Sequence, residues 1–375
     1  MKILIAADSF KDALPALEVC QAIARGLQRA LPQAEPILFP MADGGEGTAG
    51  ILTFHSRGQW IEKEVNDPLF RPITAGYGLS GDGRTAFIEM AAASGLPLLK
   101  EEERSALKTT TFGTGELILD AIQRGVQRIM LGIGGSATND AGIGMAAALG
   151  YRFFDENGER LPATGENLAR VSTVDSGHLK ARLEGLEVEV LCDVDNPLFG
   201  EKGAAHVYAP QKGANPEGVA ILDDGLRHFA QLLEHKFGKD FAHIPGAGAA
   251  GGLGAGAMAF LGGRLRPGIE AVMDYTRFED QLEGVQIVFT GEGKVDSQTL
   301  HGKLIYGITR RAKAAGVPVV ALCGALLASP EDVDAIGLKA AFSIQNRPAS
   351  LETALKETAE GLERTAFHIG RMLAH

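Results

Sequence analysis

Lys2-Ile3-Leu4-Ile5-Ala6-Ala7-Asp8-Ser9-Phe10-Lys11 is the stretch whose reading decides the fold. Ile3 to Ala7 is an apolar run of strand length, and polar residues end it. Beyond it Ala16, Val19, Cys20, Ile23, Leu27, Ala30 and Leu31 recur at three- and four-residue steps. That spacing gathers them on one face of a helix, which must pack against something. A second apolar run, Ile37 to Phe39, leads into Pro40-Met41-Ala42-Asp43-Gly44-Gly45-Glu46-Gly47-Thr48. Strand, helix and strand in this order make a parallel βαβ unit.

The same rhythm returns only towards the other end. A strand is expected from Gln286 to Phe289, ending in Thr290-Gly291-Glu292-Gly293-Lys294, then a helix over about Leu300–Ala315. The strand Pro318–Leu322 follows, and Ser329 with Pro330 behind it reads as a helix cap and first helical position. Ala341–Ile344 is a fifth strand and Leu351–Leu373 a closing helix. Five strands with intervening helices form a doubly wound parallel α/β sheet of flavodoxin-like type. Its halves are separated by more than 200 residues, so residues 65–275 are expected to be an inserted second α/β domain and residues 1–64 plus 276–375 a discontinuous first one. The insert has expected strands at Ile73–Gly78, Thr85–Met90, Arg128–Ile133, Glu187–Cys192 and Ala205–Tyr208. Its expected helices are Gly115–Arg124, Asp140–Leu149 and Pro216–Phe237, the last capped by Asn215.

Composition narrows the function. The 375 residues carry 36 Lys+Arg against 47 Asp+Glu, a net charge of −11, which argues against nucleic acid or an anionic membrane as main partner. Glycine, at 49 residues, is about double average usage, and it falls in clusters rather than in a collagen-like period. Three scattered cysteines, Cys20, Cys192 and Cys323, fit a reducing compartment and lack zinc-site spacing. The first apolar run is too short for a signal peptide, and the uncharged stretch Gly246–Gly263 is too rich in glycine and alanine to favour membrane insertion, so a cytoplasmic location is expected.

In an open parallel sheet, ligands bind at the carboxyl ends of strands. Three such ends carry carboxylates together with lysine or glycine: Asp8-Ser9-Phe10-Lys11, Asp43 to Thr48, and Gly291 to Asp296. Carboxylates suit magnesium, glycines let backbone N–H groups approach an anion, and lysine adds a point charge. In the insert, Arg128–Ile133 runs into Gly134-Gly135-Ser136-Ala137-Thr138-Asn139-Asp140-Ala141-Gly142, a strand followed by a glycine-rich turn. Gly132, Gly134 and Ala137 match G-x-G-x-x-A, as Gly246, Gly248 and Gly251 match G-x-G-x-x-G, although such matches arise by chance at this glycine content. The stretch 246–263 reads equally as a close-packed helix. Thr114, in the hydroxyl-rich helix start Thr110–Glu116, reads as a helix cap or a ligand contact, Asp193-Val194-Asp195-Asn196 as metal ligand, base or turn, and Lys212 as a solvated charge in a turn. No G-x-x-x-x-G-K-[ST] is present, since Gly302-Lys303 has Ser297 and Leu304 at the outer positions. H-R-D, D-F-G and G-x-S-x-G are also missing, which excludes the common kinase scaffolds and an α/β-hydrolase.

Together the segments resemble the type 1 glycerate kinase family over nearly the whole chain. The resemblance rests on A-D-S-F-K at 7–11, M-A-D-G-G-E-G-T at 41–48, T-F-G-T-G-E-L-I at 111–118 and G-I-G-G-S-A-T-N-D-A-G at 132–142. It continues through D-V-D-N-P-L at 193–198, P-Q-K-G-A at 210–214, P-G-A-G-A-A-G-G-L-G-A-G at 245–256 and T-G-E-G-K-V-D at 290–296, with Gln298-Thr299 and Gly302-Lys303 behind. Asp12, where a small residue is usual, and Ala141, in place of glycine, depart from the pattern. The resemblance implies an ATP-dependent kinase of D-glycerate with two α/β domains, one flavodoxin-like and split, the other inserted and similar to restriction enzymes. It leans towards the 2-hydroxyl over the 3-hydroxyl as acceptor and leaves the oligomeric state open.

Phosphoryl transfer needs charge around the phosphates, a cation, a base and an anchor for the substrate. On that chemistry Lys11 and Lys294 supply phosphate charge, with Ser9 and the turns at Gly134-Gly135-Ser136 and Gly251-Gly252 as hydrogen-bond donors. Asp43, Glu46 and Glu292 are carboxylates for Mg²⁺. Asp193 and Asp296 are the expected bases, and Lys212 or Arg71 is the expected anchor for the glycerate carboxylate. A two-domain layout suggests a cleft that closes against water. The rival readings are a nicotinamide-dependent oxidoreductase of a hydroxy acid and a non-catalytic sugar-acid binding module.

Overall fold

The computed structural model describes residues 1–177, 183–296, 299 and 304–374. Ser297, Gln298, Gly302, Lys303 and the first turn of the helix expected from Leu300 lie outside the described residues. In chain order the strands are β1 (Lys2–Ile5), β2 (Glu35–Leu38), β3 (Gln59–Asn66), β4 (Pro72–Leu79), β5 (Thr85–Glu89), β6 (Arg128–Gly132), β7 (Arg152–Phe154), β8 (Thr173–Asp175), β9 (Glu187–Leu191), β10 (Arg264–Arg266), β11 (Ile287–Val295), β12 (Val319–Leu326) and β13 (Ala340–Ser343). The chain divides into two compact units, Met1–Asp43 with Ile269–His375, and Gly44–Gly268.

The first unit holds the sheet β13-β12-β11-β1-β2, parallel throughout. Counted within the unit, the strand order is 2-1-3-4-5, the flavodoxin arrangement. The helix Ala16–Ala30 buries Val19, Cys20, Ile23 and Leu27, the face that the sequence periodicity selects. These side chains join Ile3, Ile5, Phe289, Leu322, Leu362 and Ile369 in one core, each large aliphatic contributing roughly 1.5–3 kcal/mol by its burial. Ser329 caps the helix Pro330–Ile336 reciprocally with Asp332.

β11 is longer than expected. It continues through Gly291-Glu292-Gly293-Lys294 to Val295, paired with β12 as far as Val295 opposite Leu326. The stretch expected to end the strand is therefore strand itself, and its two-residue period sets Thr290, Glu292 and Lys294 on one face. Pairing with β12 keeps the glycines extended beyond the expected strand end.

The second unit holds the sheet β10-β9-β6-β5-β4-β3 and a small β7-β8 ribbon. β10, β9, β6 and β5 run parallel, and β4 and β3 are antiparallel. β3 pairs with β4 along its whole length, from Gln59 opposite Leu79 to Asn66 opposite Pro72. Glu62, Lys63 and Glu64 on this edge strand hid it in the sequence, and its pairing places the unit boundary after Asp43 rather than at residue 64. The later boundary likewise falls at Gly268 rather than 275, and Glu270 and Asp274 pair with Arg311 of the first unit. The expected strand Ala205–Tyr208 is a helix, Ala204–Tyr208, that packs on the helices Pro216–Phe237 and Ala249–Leu261. A short apolar run does not separate strand from buried helix. Asn215 caps Pro216–Phe237 as expected, its side chain accepting from the Gly218 amide.

Candidate functional site

At the carboxyl edge of the five-stranded sheet the chain gathers acid. Asp8 follows β1, its amide donating to the Gly291 carbonyl at 2.9 Å, and its Oδ1 accepts from the Ser9 amide at 2.6 Å. Its side chain is buried. Burial, with Asp43 and Glu292 as like charges, pushes the Asp8 carboxyl up to about 7, while the Ser9 amide and Lys11 pull it down. Thr299 donates from Oγ1 to Glu292 Oε1 at 3.3 Å, and Lys294 Nζ lies 2.7 Å from Asp296 Oδ2. Lys11 is exposed, and Ser9 is partly buried. Of the expected residues, Asp43, Glu292 and Lys11 thus share one electrostatic neighbourhood. Asp8 is the residue that sequence reasoning passed over, although it stands in the quoted Asp8-Ser9-Phe10-Lys11. Among the described residues, no three His, Cys, Asp or Glu side chains form a closed metal-binding group.

Glu46 is exposed and belongs to the second unit, whereas Asp43 closes the first segment of the other. Glu46 acts on Glu89, at the end of β5, whose carboxyl is raised by burial and then by the Glu46 charge. Glu89 caps the helix Thr48–His55, accepting from the Gly47 amide at 3.2 Å and the Ala49 amide at 2.7 Å.

The glycine-rich turn after β6 is built round two buried ionisable groups. Gly134 and Gly135 are exposed, with Gly135 at φ +72°, and Ser136 is 8% exposed. Lys212, expected to be solvated, is instead 2% exposed, with Nζ 2.7 Å from Ser136 Oγ and 2.7 Å from the Thr138 carbonyl. Burial lowers its pKa to about 7, against a small upward pull from Asp140. Asp140 is fully buried and accepts from the Thr111 amide and hydroxyl and from the Gly142 and Gly144 amides. Burial still raises its carboxyl. Asp140 thereby ties residue 111 to the helix Ile143–Leu149. Thr114 does not cap: it sits inside the helix Phe112–Gln123 and donates to Ser94 Oγ at 2.8 Å.

The remaining expected residues are committed elsewhere. In the stretch 249–261 the helix is broken at Ala250, Gly251 and Gly252, all at positive φ. A Cβ on Gly251 would lie 2.1 Å from the Thr138 carbonyl, and the Gly252 amide donates to the Gly248 carbonyl at 3.3 Å. These two glycines are buried and let the turn 138–141 approach, a packing role. Arg71 is held by Asp67 and Glu103, each at 2.6 Å, which leaves its guanidinium neutralised. Asp193 accepts from the Gly268 amide at 2.8 Å.

Comparison with known proteins settles the family. A sequence profile of the glycerate kinase family matches residues 3–374. The chain belongs to that family. It is 47% identical over 367 residues to a glycerate kinase of Halalkalibacterium halodurans, covering 98% of this chain and 97% of that one. It is 42% identical over 374 residues to a glycerate 2-kinase of Escherichia coli K12, covering 100% and 98%. A crystal structure assigned as a glycerate kinase 2 from Salmonella typhimurium LT2 superposes with a TM-score of 0.91 at 45% identity, covering 100% of this chain and 98% of that one. Membership makes this chain a kinase, a phosphotransferase, and sets aside the oxidoreductase and non-catalytic readings. The two departures from the family pattern, Asp12 at φ 62° and Ala141 at φ 51°, both occupy left-handed backbone. No helix among the described residues is long and apolar enough to cross a membrane.

Proposed function

We propose that this family member transfers the γ-phosphoryl group of ATP to a hydroxyl of D-glycerate, giving ADP and phosphoglycerate, with the 2-hydroxyl as acceptor. The observation that carries the reading is full-length identity of 42% to a relative named glycerate 2-kinase. The carboxyl edge of the five-stranded sheet supports it chemically. Asp43 and Glu292 offer hard oxygen donors and no sulfur or imidazole, which suits Mg²⁺. That ion keeps several waters and needs only one or two carboxylates beside the phosphate oxygens. When bound there it supplies charge neutralisation for the transferring group. Lys11 lends an exposed positive charge to the phosphates, and Lys294, held by Asp296, lends a second.

The base is reassigned within this proposal. Asp296 is paired with Lys294 and Asp193 holds the start of the helix Gly268–Thr276, so neither is poised to accept a proton. Asp8 follows β1, and burial, with the acidic neighbours adding to it, brings its proton affinity near neutrality, where general bases work best. The unpaired cysteines fit work in a reducing compartment such as the cytoplasm.

Incubation with ATP, Mg²⁺ and D-glycerate, followed by ³¹P spectroscopy of the products, tests the reading. The 2-phospho product with equimolar ADP is expected. The 3-phospho product overturns the regiochemistry, and unchanged ATP and glycerate overturn the function.

A further inference from the structure

We propose that the turn Gly134–Ser136 binds an anionic oxygen group, a carboxylate or a phosphoryl group, and that Lys212 takes up a proton when it does. The inference rests on the kinase reading in one respect: glycerate and ATP are the anions that the reaction brings to the protein.

Three observations converge on this turn. Lys212 Nζ is buried and makes no ion pair among the described residues; its partners are a hydroxyl and a carbonyl, both neutral. A buried ammonium without a counter-charge is costly, and three donors with two acceptors leave one hydrogen unmatched. Asn139, three residues on from Ser136, is fully buried, and among the described residues neither its Oδ1 nor its Nδ2 has a hydrogen-bond partner, nor has Thr138 Oγ1. Unsatisfied polar groups at this density call for a ligand or bound water. Finally, Gly134 and Gly135 are exposed while Ser136 is almost covered, so an incoming anion meets backbone N–H groups and the Ser136 hydroxyl first, with Lys212 behind them.

The ionisable side chains on the segments packed here include Asp140 in the same turn, Arg104 and Lys108 on the segment before Thr109, Glu166 beside Gly165, and Glu89 at the end of β5 beside Gly132. Of these Asp140 alone acts on Lys212, and its oxygens are already taken by four donors. The free protein therefore keeps Lys212 poised near neutrality. An anion one hydroxyl away provides the missing opposite charge in a low-dielectric setting and draws a proton from solvent onto Nζ. No covalent bond changes; one proton leaves the buffer.

Calorimetric titration of the full chain at pH 8, repeated in buffers of different ionisation enthalpy, counts those protons for D-glycerate, ADP and inorganic phosphate. Uptake approaching about one proton per bound anion is expected for at least one probe, and Lys212→Met should abolish it. Uptake with D-glycerate alone assigns the carboxylate; uptake with ADP and phosphate alone assigns the phosphoryl group. Binding without uptake for all three probes overturns the proposal, as does uptake that persists undiminished in folded Lys212→Met. Should that variant fail to fold, lysine-selective NMR of the wild-type chain decides. A Lys212 titration moved up by about one pH unit or more on binding supports the proposal, and an unmoved one overturns it. Glycerate turnover without proton uptake spares the kinase reading and removes only this inference. Proton uptake with phosphate in a protein that does not phosphorylate glycerate does the reverse.

Discussion

At the carboxyl edge of the five-stranded sheet, Asp8, Asp43 and Glu292 crowd like charges together, and the exposed Lys11 offsets them from the rim. In the turn after β6, by contrast, Lys212 and Asp140 are each buried singly, and neutral hydroxyls, carbonyls and amides surround them. The first arrangement is strained until positive charge arrives, and the second until negative charge arrives. The lesson is that desolvation stores an unfavourable charge in both places, and at the sheet edge repulsion between like charges adds to it.

Substitutions that remove the stored charge should break this contrast most sharply. Asp8→Asn is expected to lower kcat by roughly 10²–10⁴. In the wild type the carboxyl must be ionised to act, so activity should fall as pH drops through about 7, and the variant should lose that limb. The sign for stability is opposite. A carboxyl whose folded pKa is raised favours the folded state at low pH, and that stability is lost as pH rises through about 7. Asp8→Asn should therefore be more stable than wild type at pH 8, by on the order of 2 kcal/mol, in a denaturant titration. A variant that is active, or less stable at pH 8, would remove Asp8 from the centre of the edge.

Lys11→Ala should cost about 10² in turnover with folding intact, because a charge beside the developing phosphate helps most in the transition state. Unchanged kcat in a folded variant would show that this rim lysine does not offset the acid. On the other unit, Gly251→Ala should destabilise by about 3 kcal/mol or more, since its Cβ would meet the Thr138 carbonyl at 2.1 Å and its φ is +67°. A thermal midpoint within a degree of wild type would mean that the turn holding Lys212 does not depend on that approach. The smallest effect is expected of Ala141→Gly, which relieves left-handed backbone at φ 51° and should stabilise by about 0.5–1 kcal/mol. A destabilised variant would show that the alanine methyl contributes more by packing than the backbone loses.

The division of information follows from range. By itself the sequence determined the five-stranded parallel sheet and its split, because apolar runs and helical periodicity are local and survive without a partner. It determined the family too, through eight strings in order along the chain. It also located the acidic strand ends, since a charged residue directly after an apolar strand is a local signal. What only the tertiary structure decided is which charges are buried and what each touches. Lys212 in a turn reads as solvated until Ser136 and Thr138, more than 70 residues away, close over it. β3 carries no strand signal of its own until β4 pairs with it, and the strand from Gln286 reads as ending at Phe289 until β12 extends it to Val295. Arg71 reads as free to bind a carboxylate until Glu103 occupies it. In each case desolvation or pairing depends on residues distant in the chain, and a proton affinity depends on the sum of such neighbours, so no local pattern carries it.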